Sequence, residues 1–409
     1  MPSSQPPTDH QGGERGASDQ TAQVFLAAGE ASGDWAGGLL ARELRALRND
    51  LALAGIGGRQ MAAAGVDLVA DSSTWGAIGV LEAATKVPRV WRALRAARAH
   101  LAQEPPSALV LIDFGAGNML LARAARRMGL PTLYYFPPGS WRQRAGNVEV
   151  RDLVDAIATP FPWSRDLLQG GRARVEWVGH PVVETARPRI TREEAWARYR
   201  LDAVRPVVAL APGSRQQEMH YVLPVMAEAA RRLAGQLPDL QLLVPVAASL
   251  AREHVMAVLH RAGVEAVLLE GMDYDALQLA EAAMVCSGTV TLEFACLGVP
   301  MVVVYRASRA TTLQYRLIRG LLGGQRFAAM PNIIAGREVV RELLGSAATP
   351  EAIAQEVASL LSDQGRRARL RSDLGLVVAC LGPAGATRRT AEMVLGLVNG
   401  KEASREPGG

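Results

Sequence analysis

The chain has 409 residues, of which 49% are apolar and 21% are charged. This composition excludes a disordered or fibrous chain, and the length suits two or three globular domains. The net charge of +5 arises from 45 basic and 40 acidic residues scattered along the chain, which disfavours nucleic acid as a partner. The three cysteines lack C-x-x-C spacing, which excludes a zinc ribbon and a disulfide scaffold.

Both ends of the sequence are predicted to be solvated tails, over residues 1–20 and 401–409. The first tail lacks the apolar core of a signal peptide, and no apolar run approaches the roughly 18–20 residues of a membrane span. Lys86 and Lys401 are the only lysines, so the sequence contains no Gly-Lys-Ser/Thr phosphate loop.

Short aliphatic runs alternate with helix-period segments, which predicts parallel strands covered by helices. The eleven predicted strands are Ala22–Ala28, Leu51–Gly55, Ala108–Ile112, Thr132–Phe136, Ala156–Thr159, Val175–Val178, Pro206–Ala211, Gln241–Val246, Ala266–Leu269, Ala283–Cys286 and Pro300–Tyr305. The helices predicted between them include Trp35–Leu47, His220–Leu237, Ala248–Ala262 and Thr289–Leu297.

Eleven strands are too many for one ordinary sheet, and the polar segment Glu184–Arg205 divides the chain into similar halves. We therefore predict an α/β fold with two Rossmann-like domains, residues 21–185 and 186–378, whose parallel sheets face each other across a cleft. Residues 379–400 are predicted to form a last helix that returns to the N-terminal domain.

Ligands of open α/β sheets bind beyond the carboxyl ends of the strands, so the loops at those ends hold the candidate site residues. After the first strand, Gly29 permits a tight turn, and Ser32 or Asp34 can cap a helix whose N–H groups face an anion or a sugar. A plain strand–helix turn is the alternative. The loop is not G-x-G-x-x-G, so no dinucleotide cofactor is predicted.

Asp113 ends the buried strand Ala108–Ile112 at the presumed cleft. Partial desolvation raises the pKa of such a carboxyl group, which makes Asp113 a candidate general base. A helix cap, or a carboxylate held by neighbouring N–H groups, is the alternative interpretation.

Arg215 follows the strand Pro206–Ala211 within the sequence Pro-Gly-Ser-Arg, with Ser214 before it and Glu218 one helical turn later. An arginine in this position can bind a phosphate through two parallel hydrogen bonds. An exposed arginine on a surface turn is the alternative.

Ser287, Gly288 and Thr289 follow the strand Ala283–Cys286 and open a helix that carries Glu293. Their hydroxyl and N–H groups at a positive helix end suit a diphosphate. Glu293 lies one turn beyond Thr289 and could accept both hydroxyls of a ribose. A capped core helix with a solvated Glu293 is the alternative.

Three further segments carry weaker signals. The D-x-D sequence Asp273–Asp275 is interpreted as a helix cap rather than a metal ligand, and no metal site is predicted. His180 is interpreted as structural. The helix-like segment Lys86–His100 contains arginines and Trp91, so a membrane-bound face and a solvated basic face both stay open.

Four longer motifs point to a known family. They are AGEASGD (Ala28–Asp34), PGSRQQE (Pro212–Glu218), CSGTVTLE (Cys286–Glu293) and MPNIIAGRE (Met330–Glu338). In these motifs and their order the sequence, from about Gln23 to Leu397, resembles the lipid-A-disaccharide synthases, which are inverting glycosyltransferases of the GT-B fold.

The resemblance implies transfer of 2,3-diacylglucosamine from its UDP conjugate to 2,3-diacylglucosamine 1-phosphate (lipid X). The products are a β-1,6-linked disaccharide 1-phosphate and UDP. It also implies that the C-terminal half binds UDP without a metal or cofactor. The N-terminal half would meet the acyl chains at the cytoplasmic face of the inner membrane, where the protein binds peripherally. Family members can form homodimers.

The resemblance also implies roles for individual residues. Asp113 would deprotonate the 6-hydroxyl of the acceptor, and Arg215 would stabilise the departing UDP. Asn332 would lie near the donor. The other residues predicted to bind substrate are Gly29, Ser32, Ser214, Glu218, Ser287, Gly288, Thr289 and Glu293.

Two segments on the acceptor side depart from the family pattern. Where the family usually reads D-x-P-D-F-N, this chain has Gly115 and Ala116 in place of the proline and the second acid. Where it usually reads SP-x-VWAW, Trp141 is kept and Gln143 replaces the second tryptophan. The alternatives are therefore another UDP-sugar enzyme, of the peptidoglycan glycosyltransferase or UDP-GlcNAc 2-epimerase type, and a non-catalytic UDP-sugar-binding protein.

Overall fold

The structure is a computed structural model that describes residues 22–73, 75, 80–141, 148–247, 250–307 and 327–403. Thirteen strands lie in these ranges. They are β1 Gln23–Ala28, β2 Ala52–Gly57, β3 Asp67–Asp71, β4 Ala108–Ile112, β5 Thr132–Tyr135, β6 Ala156–Thr159, β7 Arg174–Trp177, β8 Val207–Ala211, β9 Gln241–Val246, β10 Val267–Glu270, β11 Ala282–Cys286, β12 Met301–Tyr305 and β13 Arg341–Leu344.

The strands form two all-parallel sheets. The first sheet has seven strands in the order β3-β2-β1-β4-β5-β6-β7, and the second has six in the order β10-β9-β8-β11-β12-β13. In both sheets the strand order reverses at the centre, which is where doubly wound sheets place their ligands. The predicted pair of parallel sheets is confirmed.

Helices cover both sheets. They are α1 Ala31–Leu47, α2 Arg59–Ala63, α3 Val80–Gln103, α4 Gly115–Met128, α5 Val150–Leu153, α6 Pro162–Leu168, α7 Val182–Thr185, α8 Arg192–Tyr199, α9 Gln216–Tyr221, α10 Leu223–Gln236, α11 Arg252–Arg261, α12 Tyr274–Leu277, α13 Val290–Cys296, α14 Met330–Ala335, α15 Pro350–Ser362, α16 Gln364–Ala379 and α17 Ala386–Ala403. No helix in the described ranges is long and apolar enough to cross a membrane.

The bounds of the predicted strands agree with the structure to within two residues, but two strands were not predicted. β3 and β13 are edge strands that contain charged residues and expose part of their length, so they lack the aliphatic run of a central strand.

The predicted helix His220–Leu237 was wrong as a single element. It is two helices, α9 and α10, and Pro224 in the first turn of α10 explains the restart because proline lacks the N–H that a continuous helix needs.

The C-terminal helix α17 packs against the first sheet, although it follows the second in sequence. Ala391, Val394 and Val398 are fully buried in the core that covers β1 and α1. Glu184 accepts hydrogen bonds from the N–H groups of Gly385 (2.6 Å) and Thr387 (3.2 Å), which holds the start of α17 beside α7. The helix continues to Ala403, so the predicted tail begins too early; residues 1–20 and 404–409 lie outside the described residues.

Candidate functional site

The first half of the site lies at the carboxyl ends of β1 and β4. Ala28 and Ile112 are paired in register, so the loops that follow them lie side by side. Ser32 lies in the first turn of α1 and donates a hydrogen bond from its hydroxyl to Oδ2 of Asp113 at 2.9 Å. The predicted position of both residues at one edge of the sheet therefore agrees with the structure.

The predicted capping of α1 was wrong. The N-cap residue is Glu30, whose side chain makes no capping hydrogen bond, and both Ser32 and Asp34 lie within the helix. The carboxylate of Asp34 points to the next βα unit, where it accepts hydrogen bonds from the N–H groups of Gly58 and Met61 at 2.7 and 3.0 Å. Asp34 therefore fixes the start of α2, whereas Ser32 binds Asp113.

The backbone at Asp113 is held in an unusual conformation. Asp113 and Phe114 have φ angles of 50° and 49°, in the left-handed region that few residues other than glycine adopt. Three hydrogen bonds fix this turn: Asp113 N–H donates to the carbonyl of Tyr135 (3.0 Å), while its own carbonyl accepts from the Tyr134 hydroxyl (2.8 Å) and the Asn118 amide (3.0 Å). Strain that the surroundings enforce in this way is typical of functional sites.

The electrostatic surroundings of Asp113 suit a base. Burial raises the pKa of its carboxyl group above the ordinary value, and the Ser32 hydroxyl, the Phe114 N–H and the charge of Arg215 partly oppose that shift. A carboxylate with a raised pKa is a stronger base than a solvated one, so the shift favours proton abstraction by Asp113.

Gly29 has a packing role in the same loop. A Cβ atom at this position would lie 2.2 Å from Cγ of Phe114, so only glycine lets the Phe114 ring close over the loop. Its predicted contact with substrate stays a prediction.

The second half of the site lies at the carboxyl ends of β8 and β11, which are adjacent strands with Ala211 paired to Val285. Arg215 follows β8 and donates a hydrogen bond from Nη1 to Oε1 of Glu218 at 3.1 Å. Its Nη2 atom lies 3.7 Å from Oε2 of Glu30, in the loop after β1. This ion pair joins the two halves across the cleft.

Glu30 was not among the residues predicted to form the site. Its side chain is partly exposed, and the pKa of its carboxyl group is raised by burial and by the neighbouring charge of Asp113, while Arg215 lowers it. The sequence does show an acidic residue in the loop after the first strand. Its pairing with Arg215 could not be predicted, because the two residues lie far apart in the sequence.

The structure gives Glu218 a positioning role, and its predicted contact with substrate stays a prediction. Its side chain is only 4% exposed, and Oε2 accepts hydrogen bonds from the N–H groups of Ser214 (2.8 Å) and Arg215 (2.9 Å). Gly213 has a φ of 105°, and a Cβ atom there would lie 2.1 Å from the same oxygen. Glu218 therefore shapes the loop that presents Ser214 and Arg215 to the cleft.

The loop after β11 lies beside the Arg215 loop. Gly288 has a φ of 148°, which needs glycine, and Ser287 donates its hydroxyl hydrogen bond to the carbonyl of Ala328 at 3.0 Å. Glu293 is not a solvated residue. It accepts a hydrogen bond from the Tyr274 hydroxyl at 2.8 Å, and burial raises the pKa of its carboxyl group, although this hydrogen bond opposes the shift.

Asn332 has a structural role in the fold, and its predicted position near the donor stays a prediction. It is fully buried, and its amide donates to the carbonyl of Val340 and to Oε1 of Glu342, both at 2.8 Å. Its Oδ1 atom accepts from the N–H groups of Val339 (2.7 Å) and Val340 (2.9 Å). These four bonds use all the hydrogen-bonding capacity of the amide, so Asn332 fixes α14 against β13 and leaves no group for a ligand.

Both halves of the protein line a cavity of about 140 Å³ beside Asp113. The polar residues that line the cavity include Ser32, Asp113, His180 and Thr289, and the rest of the lining consists mostly of large apolar side chains. These are Trp35, Phe136, Pro137, Trp141, Phe161, Leu292 and Met330. Such a mixed lining suits a sugar that carries apolar substituents.

The first departure from the family pattern, at Gly115 and Ala116, lies outside this lining. Ala116 is exposed in the first turn of α4, and it does not line the cavity beside Asp113. Gln143 lies outside the described residues, whereas Trp141 lines the cavity. The position of the missing second acid is therefore not part of the cavity that Asp113 lines.

Asp273 caps α12, as predicted, because its carboxylate accepts hydrogen bonds from the N–H groups of Asp275 (3.1 Å) and Ala276 (3.3 Å). Within the described ranges, no group of three or more His, Cys, Asp or Glu side chains is arranged to hold a metal ion. Independence from metals stays a prediction.

Two doubly wound parallel sheets, whose halves together line a cavity, place the chain in the GT-B fold class of glycosyltransferase-like proteins. Solved structures with this fold include a putative UDP-N-acetylglucosamine 2-epimerase from Listeria monocytogenes, with a TM-score of 0.61, 12% identity and coverage of 95% of this chain and 98% of that one. MurG from Acinetobacter baumannii gives a TM-score of 0.55 and 15% identity, with coverage of 92% and 99%. These similarities show the fold alone.

The sequence comparisons are more specific. Residues 24–382 match the family model described as lipid-A-disaccharide synthetase. The chain is 38% identical over 374 residues to the lipid-A-disaccharide synthase of Geobacter sulfurreducens, covering 91% of this chain and 96% of the relative. It is 36% identical over 377 residues to that of Myxococcus xanthus, covering 92% and 97%. The chain therefore belongs to the lipid-A-disaccharide synthase family of hexosyltransferases.

Proposed function

We propose that the protein transfers 2,3-diacylglucosamine from UDP-2,3-diacylglucosamine to the 6-hydroxyl of 2,3-diacylglucosamine 1-phosphate. Membership of the family over residues 24–382 supports this reaction. The structural observation that carries the mechanism is the position of Asp113, a buried carboxylate held by Ser32 at a cavity that both halves of the protein line.

The transfer is a single displacement. A carboxylate oxygen of Asp113 takes the proton of the acceptor 6-hydroxyl as that oxygen forms a bond to the anomeric carbon of the donor sugar. The bond between the anomeric carbon and the β-phosphate oxygen breaks, and UDP leaves with the electron pair. Attack opposite the leaving group inverts the configuration, which gives a β-1,6 linkage. The raised pKa of Asp113 supports this role because it strengthens the base.

The second half of the protein binds the donor. Arg215 is 40% exposed, so part of its guanidinium group is accessible to a diphosphate although Glu218 and Glu30 lie 3.1 and 3.7 Å from it. It would stabilise the negative charge that develops on UDP. Ser214, Ser287, Gly288 and Thr289 lie in the two loops at the same edge of the sheet and would bind the diphosphate with it. Glu293, oriented by Tyr274, would accept the ribose hydroxyls.

A panel of donors and acceptors tests the reaction. The purified protein is incubated with UDP-2,3-diacylglucosamine or UDP-GlcNAc, each with and without 2,3-diacylglucosamine 1-phosphate, and products are identified by mass spectrometry. We expect disaccharide 1-phosphate and UDP only from the diacylated donor with its acceptor. Epimerisation of UDP-GlcNAc without an acceptor, or UDP binding without any turnover, would refute the proposal. The much lower identity to the epimerases, 12% against 38%, does not favour that alternative.

We also propose that α3 lies on the anionic surface of the membrane that holds the acylated substrates, at its cytoplasmic face. Ala97 and Leu101 are buried in the core, while Val87 and Trp91, nearer the start of the helix, are each 58% exposed. The guanidinium group of Arg95 lies 5.6 Å from the Trp91 ring centre, and Arg89, Arg92 and Arg98 are exposed. Exposed tryptophan with surrounding arginines is typical of helices in the headgroup region.

The homodimer that the resemblance implies is a further proposal, which analytical ultracentrifugation tests.

A further inference from the structure

His180 is a buried side chain beside the reacting groups that the mechanism above does not use. It follows β7 and Gly179, is 4% exposed, and lines the same cavity as Asp113 and Ser32. Its ring is fixed from two sides by Phe136, edge-on with ring centres 5.3 Å apart, and by Phe161 at 5.9 Å. The imidazole therefore has a single, defined orientation.

The hydrogen bonds of His180 determine which ring nitrogen carries the proton. Nδ1 accepts a hydrogen bond from the N–H of Val182 at 3.1 Å, so Nδ1 is unprotonated and the proton lies on Nε2. Within the described part of the chain no hydrogen bond is found for Nε2, and the His180 ring lines the cavity. Burial lowers the pKa of the ring to about 3, which keeps the imidazole neutral at physiological pH.

We propose that His180 binds the acceptor sugar by donating the Nε2–H hydrogen bond to an uncharged oxygen, a hydroxyl or an acyl carbonyl. His180 follows β7 of the first sheet and shares the cavity with Ser32 and Asp113 of that sheet, which favours the acceptor, whereas most groups proposed to bind UDP follow strands of the second sheet. A neutral donor suits an uncharged oxygen, whereas a phosphate would favour a charged partner. This inference rests on the proposed function, because it takes the ligand beside Asp113 to be the acceptor.

The two ring nitrogens can be tested separately with two variants. In His180→Asn, the side-chain oxygen can replace Nδ1 as the acceptor for Val182 N–H, but the donor at the Nε2 position is lost. In His180→Gln, the amide nitrogen can reach the Nε2 position and donate. We expect His180→Asn to raise the KM for 2,3-diacylglucosamine 1-phosphate roughly three- to tenfold, as the loss of one neutral hydrogen bond does. His180→Gln is expected to recover most of that loss, and the Kd of UDP should be unchanged in both.

Nitrogen NMR of the protein labelled with ¹⁵N-histidine provides a readout that does not depend on activity. We expect the His180 signals of a neutral ring protonated at Nε2, and a shift of Nε2 when 2,3-diacylglucosamine 1-phosphate is added but not when UDP is added. A proton on Nδ1, no shift with the acceptor, or equal impairment of both variants would overturn the inference. If wild-type protein transfers no sugar, the proposed function fails, whereas the Nε2 shift still decides the role of His180.

Discussion

Replacing Asp113 with Asn removes the proposed base while keeping the size of the side chain. The amide cannot accept the proton of the 6-hydroxyl, and a positioned base contributes about 10²- to 10⁴-fold to such a step, or about 3–5 kcal/mol of the activation free energy. We therefore expect kcat for disaccharide formation to fall by at least 10²-fold. The Kd of UDP should not change, because the groups proposed to bind UDP follow β8 and β11 in the second sheet.

The same substitution should not unfold the protein. The folded-state pKa of Asp113 is raised, so its ionisation costs stability as the pH rises through that value. The neutral amide of the Asp113→Asn variant carries no such cost, and we expect the Tm of the variant at pH 8 to equal or exceed that of the wild type. Near pH 3, where Asp113 of the wild type is protonated, this advantage should disappear.

Ser32→Ala is the matched control for Asp113→Asn. It keeps the base but removes the hydrogen bond that lowers the pKa of Asp113, so the acidic limb of the kcat/KM profile should move to higher pH. Transfer would be measured by mass spectrometry, UDP binding by calorimetry and Tm by differential scanning calorimetry. Near wild-type turnover in Asp113→Asn, or a loss of UDP binding that matches the loss of turnover, would refute the assignment of the base.

Three further outcomes test other parts of the site. Glu218→Ala leaves two N–H groups without their acceptor, and we expect the free energy of unfolding to fall by about 3 kcal/mol in urea titrations, with weaker UDP binding; an unchanged stability would contradict the positioning role. Tyr274→Phe removes a hydrogen bond that lowers the pKa of Glu293, so UDP affinity should fall more at pH 6 than at pH 8, and a pH-independent change would argue against it. Trp91→Glu should reduce cosedimentation with vesicles containing phosphatidylglycerol while leaving UDP binding intact; equal cosedimentation would refute the membrane contact of α3.

Central strands could be predicted from the sequence because they are buried on both faces and appear as continuous aliphatic runs. β4, with its five fully buried residues Ala108–Ile112, is the clearest example, and its predicted bounds equal the observed ones. β3 and β13 lack this signal, since edge strands pair on one side only and tolerate charged residues. Whether these two segments form strands depends on the neighbouring strand with which they pair, and not on their own composition.

The positions of Asp113 and Arg215 could be predicted because a strand end fixes where a side chain lies. The roles of Glu218 and Asn332 could not, since both depend on which backbone groups fold around them. His180 was interpreted as structural because a single histidine carries no spacing signal. Only the structure shows that one ring nitrogen accepts a backbone hydrogen bond and that the residue lines the cavity beside Asp113.

The central claim is that the protein is an inverting transferase that joins two acylated glucosamines with Asp113 as the base. The most direct test is the anomeric configuration of the new linkage, read by NMR from the disaccharide 1-phosphate formed by the purified wild-type protein. The mechanism predicts a β-1,6 linkage from the α-configured UDP donor. An α linkage would contradict a single displacement, and the absence of any disaccharide would contradict the proposed reaction.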